Sequence, residues 1–143
     1  GDYDNDGDLD ILISGEDNNF NQHTKIYQNT LNKGQGVTVN PPANLKAEVK
    51  GKNVLLKWDK IKDLKGITYN IRIGTAPGKN DRLSPMANAQ SGRRLVVDEG
   101  NAHHHDNWLI KNLPPGKYYW SVQTINGAYQ SSKFSEEQSF TVN

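Results

Sequence analysis

Five aspartates occupy alternate positions at the start of the sequence, GDYDNDGDLD. They are Asp2, Asp4, Asp6, Asp8 and Asp10, with Gly7 between the third and the fourth. On one face of a β-strand these carboxylates would repel one another, and Asn, Asp and Gly favour turns over strands. A loop wrapped around a cation satisfies both constraints, because alternate carboxylates can point inward while glycine permits a sharp turn. The spacing predicts a Ca²⁺ site formed by the side chains of Asp2, Asp4, Asp6 and Asp10 and the backbone carbonyl of Asp8.

This loop does not fit an EF-hand. An EF-hand ends its loop with a bidentate glutamate and has a helix on each side. The corresponding residue here is Ile13, and the segment ILISG after Asp10 is typical of a short β-strand. Magnesium is disfavoured, because it prefers octahedral sites that retain water. A solvated acidic turn without a metal remains the alternative.

The charge is distributed unevenly along the chain. Residues 1–40 contain seven acidic and two basic residues, a net charge of −5, whereas residues 41–143 contain nine acidic and fifteen basic residues, a net charge of +6. Pro41 and Pro42 fix φ and lack amide donors, so they interrupt regular structure. We therefore expect a domain boundary near Asn40, with one domain at 1–40 and a second at 41–143.

Composition narrows the class of protein. Hydrophobic residues make up 34% of the chain, helical periodicity is weak, and no apolar run approaches membrane-spanning length. There is no cysteine, which excludes disulfides and thiolate metal sites. Gly1 precedes the acidic loop without a signal-peptide segment. We expect a soluble, all-β chain that is a piece of a longer protein, without membrane insertion.

Alternating apolar residues predict an antiparallel β-sandwich in the second region. Val54, Leu56 and Trp58 share one strand face, and Ile67, Tyr69, Ile71 and Ile73 share another. A long irregular stretch runs from Thr75 to about Gly92. Seven short strands are predicted, in NLKAEVKG, NVLLKWD, GITYNIRIG, RRLVV, NWLIKNL, KYYWSVQTI and EQSFTV.

The segment GDYDNDGDLDILISG followed by TKIYQNT resembles one FG-GAP or VCBS repeat, the calcium-loop repeat of integrin-like β-propellers. The resemblance covers about residues 1–40 and implies the same ligand set, Asp2, Asp4, Asp6, Asp8 and Asp10. The sequence departs from this family because it holds a single copy and lacks the strand that normally precedes the loop. We therefore expect a partial propeller-type blade of about three strands, near Asp10 to Ser14, His23 to Gln28 and Gly36 to Val39.

Residues 41–143 resemble a fibronectin type III domain of seven antiparallel strands. Trp58 falls at the position of the family's core tryptophan in the second strand. LPPGKYYWSV resembles the turn into the sixth strand, where a tyrosine-corner hydroxyl bonds to the backbone. Tyr118 is the predicted corner residue, with Tyr119 as its competitor. The segments YNIRIGTAPGKND, SPMA, GNA and YYWSVQTI resemble modules near the C-termini of large secreted bacterial surface proteins, which implies an extracellular or cell-surface location.

No catalytic constellation is evident. The adjacent His103, His104 and His105 cannot all face one ion in an extended loop, and the sequence has neither cysteine nor a G-x-S-x-G elbow. Glu136 and Glu137 alternate faces and are predicted to be solvated edge charges. The excess lysine and arginine are more typical of solubility than of nucleic-acid binding. Phe20, Tyr129 and residues 75–92 leave sugar binding open.

The sequence thus predicts a non-catalytic, calcium-stabilised adhesion or spacer module of a larger secreted or cell-surface protein. Its expected partners are a protein or glycan at the cell surface, or another copy of itself, and not nucleic acid. One alternative is a structural subunit that assembles end to end through open sheet edges. Another is an accessory domain of a secreted polysaccharide-degrading enzyme.

Overall fold

The computed structural model describes residues 1–4, 6, 9–30, 38–62 and 66–143. The chain separates into two compact units, Gly1–Thr38 and Val39–Asn143. All helical or strand structure in the described ranges is β-strand, which confirms the predicted all-β class. Each unit is built from antiparallel strand pairs.

The smaller unit contains one β-hairpin. Strand β1, Ile11–Glu16, pairs with β2, Gln22–Tyr27, in a register that runs from Ile11 opposite Tyr27 to Glu16 opposite Gln22. These strands correspond, with shifted ends, to the first two that the sequence predicted.

The third predicted strand, Gly36 to Val39, is not observed as predicted. Residues 36 and 37 lie outside the described residues, and Thr38 and Val39 belong to no strand. Thr38 and Val39 lie just before the proline pair, and Pro41 and Pro42 have no amide hydrogen with which to extend a ladder. The described part of this unit is therefore a two-stranded hairpin instead of a blade of about three strands.

The connection from β1 to β2 is organised by Asp17. Its carboxylate accepts hydrogen bonds from the backbone N–H groups of Asn19 and Asn21, at 2.8 and 3.0 Å, and lies 3.0 Å from His23 Nε2. These contacts, with the His23 contact the largest, lower the pKa of Asp17 to about 2. An ionised Asp17 thus fixes the turn, in agreement with the tendency of aspartate to bond to backbone two residues ahead.

The larger unit is a sandwich of two three-stranded antiparallel sheets. One sheet has the order β3-β4-β6 and the other β5-β7-β8. The strands are β3 (Lys46–Lys50), β4 (Asn53–Lys57), β5 (Thr68–Gly74), β6 (Asn107–Ile110), β7 (Gly116–Ile125) and β8 (Gln138–Val142). Their inward side chains form one core, in which Trp58 is 5% exposed and packs edge-on against Tyr69. The core positions predicted on β4 and β5 and at Trp58 are confirmed.

The predicted strand RRLVV is wrong, so the described residues contain six of the seven predicted strands. Arg94 forms only an isolated bridge with Ala87, and residues 95–98 are bends. The Arg94 guanidinium donates to the carbonyl oxygens of Pro85, Asp98 and Glu99, at 2.9, 3.2 and 3.1 Å. Because these bonds bend the chain around the guanidinium, residues 94–98 cannot form an extended strand.

Strand β5 is buried on both faces, unlike the half-buried strand that its alternation predicted. The face turned away from the core carries polar residues, and the irregular segment after β5 covers it. Asn70 Nδ2 donates to the Pro85 carbonyl and to Gln123 Oε1, at 2.8 and 3.0 Å. Gln123 Nε2 also donates to the Gly92 carbonyl. Buried amides require such partners, so this segment is part of the folded sandwich.

The free edge of β5 is covered as well. Asn101 Oδ1 accepts a hydrogen bond from Ile71 N–H and its Nδ2 donates to Ile71 C=O, both at 2.8 Å, so that one side chain substitutes for a neighbouring strand. Gly100 lies so close to the backbone of Tyr69 that a Cβ atom there would collide with the Tyr69 carbonyl. Covered edges do not recruit other strands.

A largely buried ion pair holds the beginning of the segment that follows β5. Arg72 Nη2 lies 2.7 Å from Glu137 Oε2, and the two side chains are 7% and 23% exposed. The same Glu137 oxygen accepts the Gly78 N–H at 2.9 Å, and Arg72 Nη1 donates to the Lys79 carbonyl. Glu137 is therefore not the solvated edge charge that was predicted, whereas Glu136 is exposed.

The tyrosine corner is confirmed at Tyr118. Its hydroxyl donates to the Pro114 carbonyl at 2.8 Å, and the ring, 2% exposed, stacks on Phe140. Tyr119, the competing residue, points away from the core and lies under the Lys117 ammonium. The corner ties the turn before β7 to the core.

We predict that Tyr118→Phe lowers the free energy of unfolding by about 1 kcal/mol, the net value of one hydrogen bond. Tyr119→Phe is the matched control and should change the free energy of unfolding little. Guanidinium unfolding followed by tryptophan fluorescence measures both. Equal losses in the two variants would show that the hydroxyl bond to Pro114 does not stabilise the sandwich.

We predict that Glu137→Gln destabilises the larger unit by about 2 kcal/mol, because it leaves the buried Arg72 guanidinium without a counter-charge. Glu136→Gln removes an exposed carboxylate next to it and should be nearly neutral. The same unfolding measurement compares the two variants. Equal free energies of unfolding for Glu137→Gln and Glu136→Gln would show that the Arg72–Glu137 ion pair does not stabilise the larger unit.

Candidate metal centre

Three of the five predicted ligands come together in the structure. Asp2, Asp4 and Asp10 each place a carboxylate oxygen within 4.8 Å of the other two. Asp6 is nearby in the same loop and is 1% exposed, and its N–H lies 3.1 Å from Asp2 Oδ1 and 3.3 Å from Asp4 Oδ1. Asp8, the predicted carbonyl ligand, lies outside the described residues. The loop thus gathers carboxylates on one side, as a cation site requires.

Asp10 also closes the loop by hydrogen bonding to the backbone. Its Oδ2 accepts the Tyr3 N–H at 2.6 Å and its Oδ1 accepts the Asn29 N–H at 2.8 Å. The Tyr3 bond and then the Asn29 bond lower the pKa of Asp10, so the carboxylate is charged at neutral pH. Each carboxylate oxygen has a second lone pair for another partner. Asp10 can therefore hold the loop and bind a cation at the same time.

The surroundings of Asp4 shift its pKa in the opposite direction to that of Asp10. Partial removal from water, followed by the negative charges of Asp6 and Asp10, raises its pKa. Gln28 Nε2 donates to its Oδ2 at 3.1 Å. Neighbouring carboxylates disfavour the ionisation of one another. A cation bound between them would favour the ionised form of each.

The donor set fits calcium. It consists of carboxylate oxygens on a loop that has a glycine, without the nitrogen or sulfur ligands that zinc and copper prefer. Within the described ranges, this loop provides the one group of three or more acidic or histidine side chains close enough to share an ion.

Two contacts at this loop could not be anticipated from its spacing. The Gln28 side chain and the Asn29 amide belong to the two residues that follow β2, far along the chain from the aspartates that they bind. No local motif marks them. They link the loop to the hairpin, so that ordering of the loop and ordering of the hairpin depend on one another.

The adjacent histidines His103, His104 and His105 make separate contacts. His103 Nδ1 lies 3.0 Å from Glu99 Oε2, whereas His104 Nδ1 donates to the Ile67 carbonyl at 2.7 Å. The His105 N–H bonds to the Ala102 carbonyl in a turn. The imidazoles of His103 and His104 thus have separate partners.

Binding of nucleic acid or sugar by stacking would need exposed aromatic side chains. Trp58 and Trp120 are buried, and Trp108 packs against the core, so none of the three is an exposed stacking platform. Phe20 is 84% exposed and Tyr129 is 39% exposed. Phe20 belongs to the smaller unit and Tyr129 to the larger one.

Among the residues that the structure describes, no helix has the length and hydropathy needed to cross a bilayer.

No protein-family model and no curated protein matches the chain. Solved structures do match. The FN1-FN3 domains of chicken CNTN1 align with a TM-score of 0.53 at 16% identity, over 76% of this chain and 32% of that one. The larger unit has a fibronectin type III-like fold. At this identity the likeness concerns the fold alone.

Two further solved structures align with lower scores. A β-1,2-glucanase from Parabacteroides distasonis gives a TM-score of 0.49 at 16% identity, over 73% of this chain and 13% of that one. The third fibronectin III domain of the human KIAA0343 protein gives 0.48 at 16% identity, over 73% of this chain and 84% of that one. This chain therefore spans 13% of the glucanase and 32% of the CNTN1 structure. The resemblance of residues 1–40 to an FG-GAP or VCBS repeat remains a prediction.

Proposed function

We propose that this chain is a non-catalytic, calcium-stabilised adhesion or spacer module of a larger secreted or cell-surface protein. The observation that carries the proposal is the carboxylate group of Asp2, Asp4 and Asp10 at the base of an exposed hairpin. The fibronectin type III-like fold of the larger unit supports a modular role, because such sandwiches commonly serve as repeated domains in cell-surface chains.

In this proposal, Ca²⁺ supplies positive charge to a loop that otherwise holds mutually repelling carboxylates. Asp2, Asp4 and Asp10 would hold the ion, with Asp6 and the carbonyl of Asp8 completing the site. Asp10 would transmit the effect to the hairpin, because it already bonds to the amides of Tyr3 and Asn29. Binding to the folded loop alone would stabilise it by mass action.

The larger unit would act as a rigid spacer with a surface for a partner. Its β5 edge is covered by Asn101 and its core is continuous across both sheets. Of the two adjacent carboxylates Glu136 and Glu137, the second is engaged structurally with Arg72. A location outside the cell is proposed on the sequence resemblance and on the suitability of millimolar extracellular calcium for such a loop.

We predict that millimolar Ca²⁺ stabilises the smaller unit against thermal unfolding relative to excess chelator. A hundredfold excess of Ca²⁺ over Kd should add about 2.7 kcal/mol. Asp4→Asn should abolish most of this effect, whereas Glu16→Gln, which removes a carboxylate of β1 outside the cluster, should retain it. Circular dichroism and calorimetry follow the transition. An unfolding curve for the natural sequence that chelator leaves unchanged would contradict the calcium role.

A second candidate function is self-assembly through the hairpin, and one observation favours it. All residues of β1 and β2 are exposed, and apolar side chains lie on both faces. Ile11 and Tyr27 pair on one face, while Leu12 pairs with Ile26 on the other. A two-stranded hairpin is at best marginally stable by itself in water. Strand β1 has neither lysine nor proline to block its edge.

We propose that the free edge of β1 pairs with β1 of a second copy of the chain. An antiparallel register with Leu12 opposite its own copy places Ile11 against Ile13, which extends the sheet across a two-fold axis. Pairing through β2 is less favourable because Lys25 lies within that strand.

We predict that the chain forms dimers at high concentration in the presence of Ca²⁺. Leu12→Lys should make it monomeric, because a charge at the centre of the new pairing is disfavoured. Thr24→Lys places the same charge on β2 and should preserve the dimer. Sedimentation equilibrium measures the mass of each. A natural chain that stays monomeric at the highest concentration, with Ca²⁺ present, would exclude this assembly.

A further inference from the structure

An open depression lies on the irregular segment that covers the outer face of β5. It is separate from the acidic loop and lies wholly within the larger unit. Its floor includes Asn70 of β5. Its walls include Ser84, Met86, Val96, Glu99 and His103.

The walls are held in place by hydrogen bonds to the backbone. Arg94 binds the carbonyls of Pro85, Asp98 and Glu99, and thus connects the two sides of the depression. Asn70 donates to the Pro85 carbonyl from below. A backbone that is already fixed does not have to be ordered when a ligand binds. The backbone of the depression is therefore preorganised.

Met86 and His103 both have left-handed backbone conformations, with φ of 48° and 49°. The left-handed region is uncommon for residues other than glycine, but asparagine, aspartate and histidine enter it more often than the rest, so Met86 is the unusual case of the two. Met86 is also 51% exposed, so its side chain does not compensate by filling the core. The Met86 side chain is therefore presented at the surface of the depression, where a ligand can contact it.

The polar groups of the depression can both donate and accept. The Glu99 carboxylate and the His103 imidazole are joined at 3.0 Å, and their side chains are 47% and 62% exposed. A carboxylate beside an imidazole matches adjacent hydroxyl groups, which are both donors and acceptors. Met86 and Val96 supply an apolar wall for carbon-bound hydrogens.

An anionic ligand fits this depression less well. The terminal nitrogens of Arg94 already bind three carbonyl oxygens. The carboxylates of Asp98 and Glu99 line the same depression and would repel an anionic ligand. No phenylalanine, tyrosine or tryptophan lines the described walls, so we do not expect a long glycan chain to stack along the depression.

We propose that this depression, on residues 84–103, binds a single neutral sugar ring, such as the exposed terminal residue of a glycan. The proposal deepens the adhesive role and rests on it for the choice of a surface ligand. It does not depend on calcium, because none of the residues that line the depression belongs to the acidic loop.

The test is a titration of the isotopically labelled chain with neutral probes, followed by amide chemical shifts. The probes are glucose, galactose, mannose, xylose, N-acetylglucosamine and their disaccharides. We expect saturable shifts confined to residues 84–103, in chelator as well as in Ca²⁺. Glucuronate and glucosamine are the charged probes. Saturation by a charged probe alone, or no saturable shift with any neutral probe, would overturn the proposal.

Two variants separate a ligand contact from a structural role. Met86→Gly relieves the left-handed strain, so it should leave the unfolding midpoint unchanged or raise it while it weakens sugar binding about tenfold. Glu99→Ala should weaken binding by a similar factor, with Glu136→Ala as the exposed control that preserves it. Unchanged affinity in both Met86→Gly and Glu99→Ala would overturn the proposed site. A calcium-insensitive melting curve, by contrast, would overturn the metal site alone.

Discussion

Buried polar groups must find hydrogen-bonding partners, and this requirement shapes both units of the chain. In the larger unit, the outer face of β5 carries Asn70 and Arg72 where a sandwich usually presents groups to water. Their partners are the Pro85 carbonyl and Glu137, which lie outside the strand. The segment between β5 and β6 therefore has to fold onto the sheet. Within that segment, the terminal nitrogens of Arg94 donate to three carbonyl oxygens of the same segment.

The smaller unit obeys the same requirement with far less apolar burial. The hairpin has no buried strand residue, and its ordering depends on Asp17 at one end and Asp10 at the other. Asp10 joins the acidic loop to β2 by accepting the Asn29 amide. The stability of this unit thus depends on carboxylates whose mutual repulsion a cation would relieve. This is the physical reason to connect calcium with the order of the hairpin.

Local patterns in the sequence were sufficient for much of the sandwich. The period-2 alternation identified the core positions of β4, including Leu56, and the LPPGKYY turn identified the corner at Tyr118. RRLVV has the composition of a strand, but Arg94 bends it through contacts that only the folded chain provides. The pairing of Asn70 with Gln123 and the substitution of Asn101 for a strand join residues far apart in sequence. The alternate spacing of the aspartates predicted the carboxylate group around Asp4. No local sequence pattern predicts the hydrogen bond from the Asn29 amide to Asp10.

The central claim is that a cation at the acidic loop orders the smaller unit. Backbone amide exchange in Ca²⁺ and in chelator tests it most directly, because the amides of Tyr3 and Asn29 report on the two bonds to Asp10. The account predicts that both amides exchange more slowly with Ca²⁺, while core amides of β7 such as that of Val122 are unchanged. Exchange at Tyr3 and Asn29 that is equally fast with and without Ca²⁺ would contradict the account.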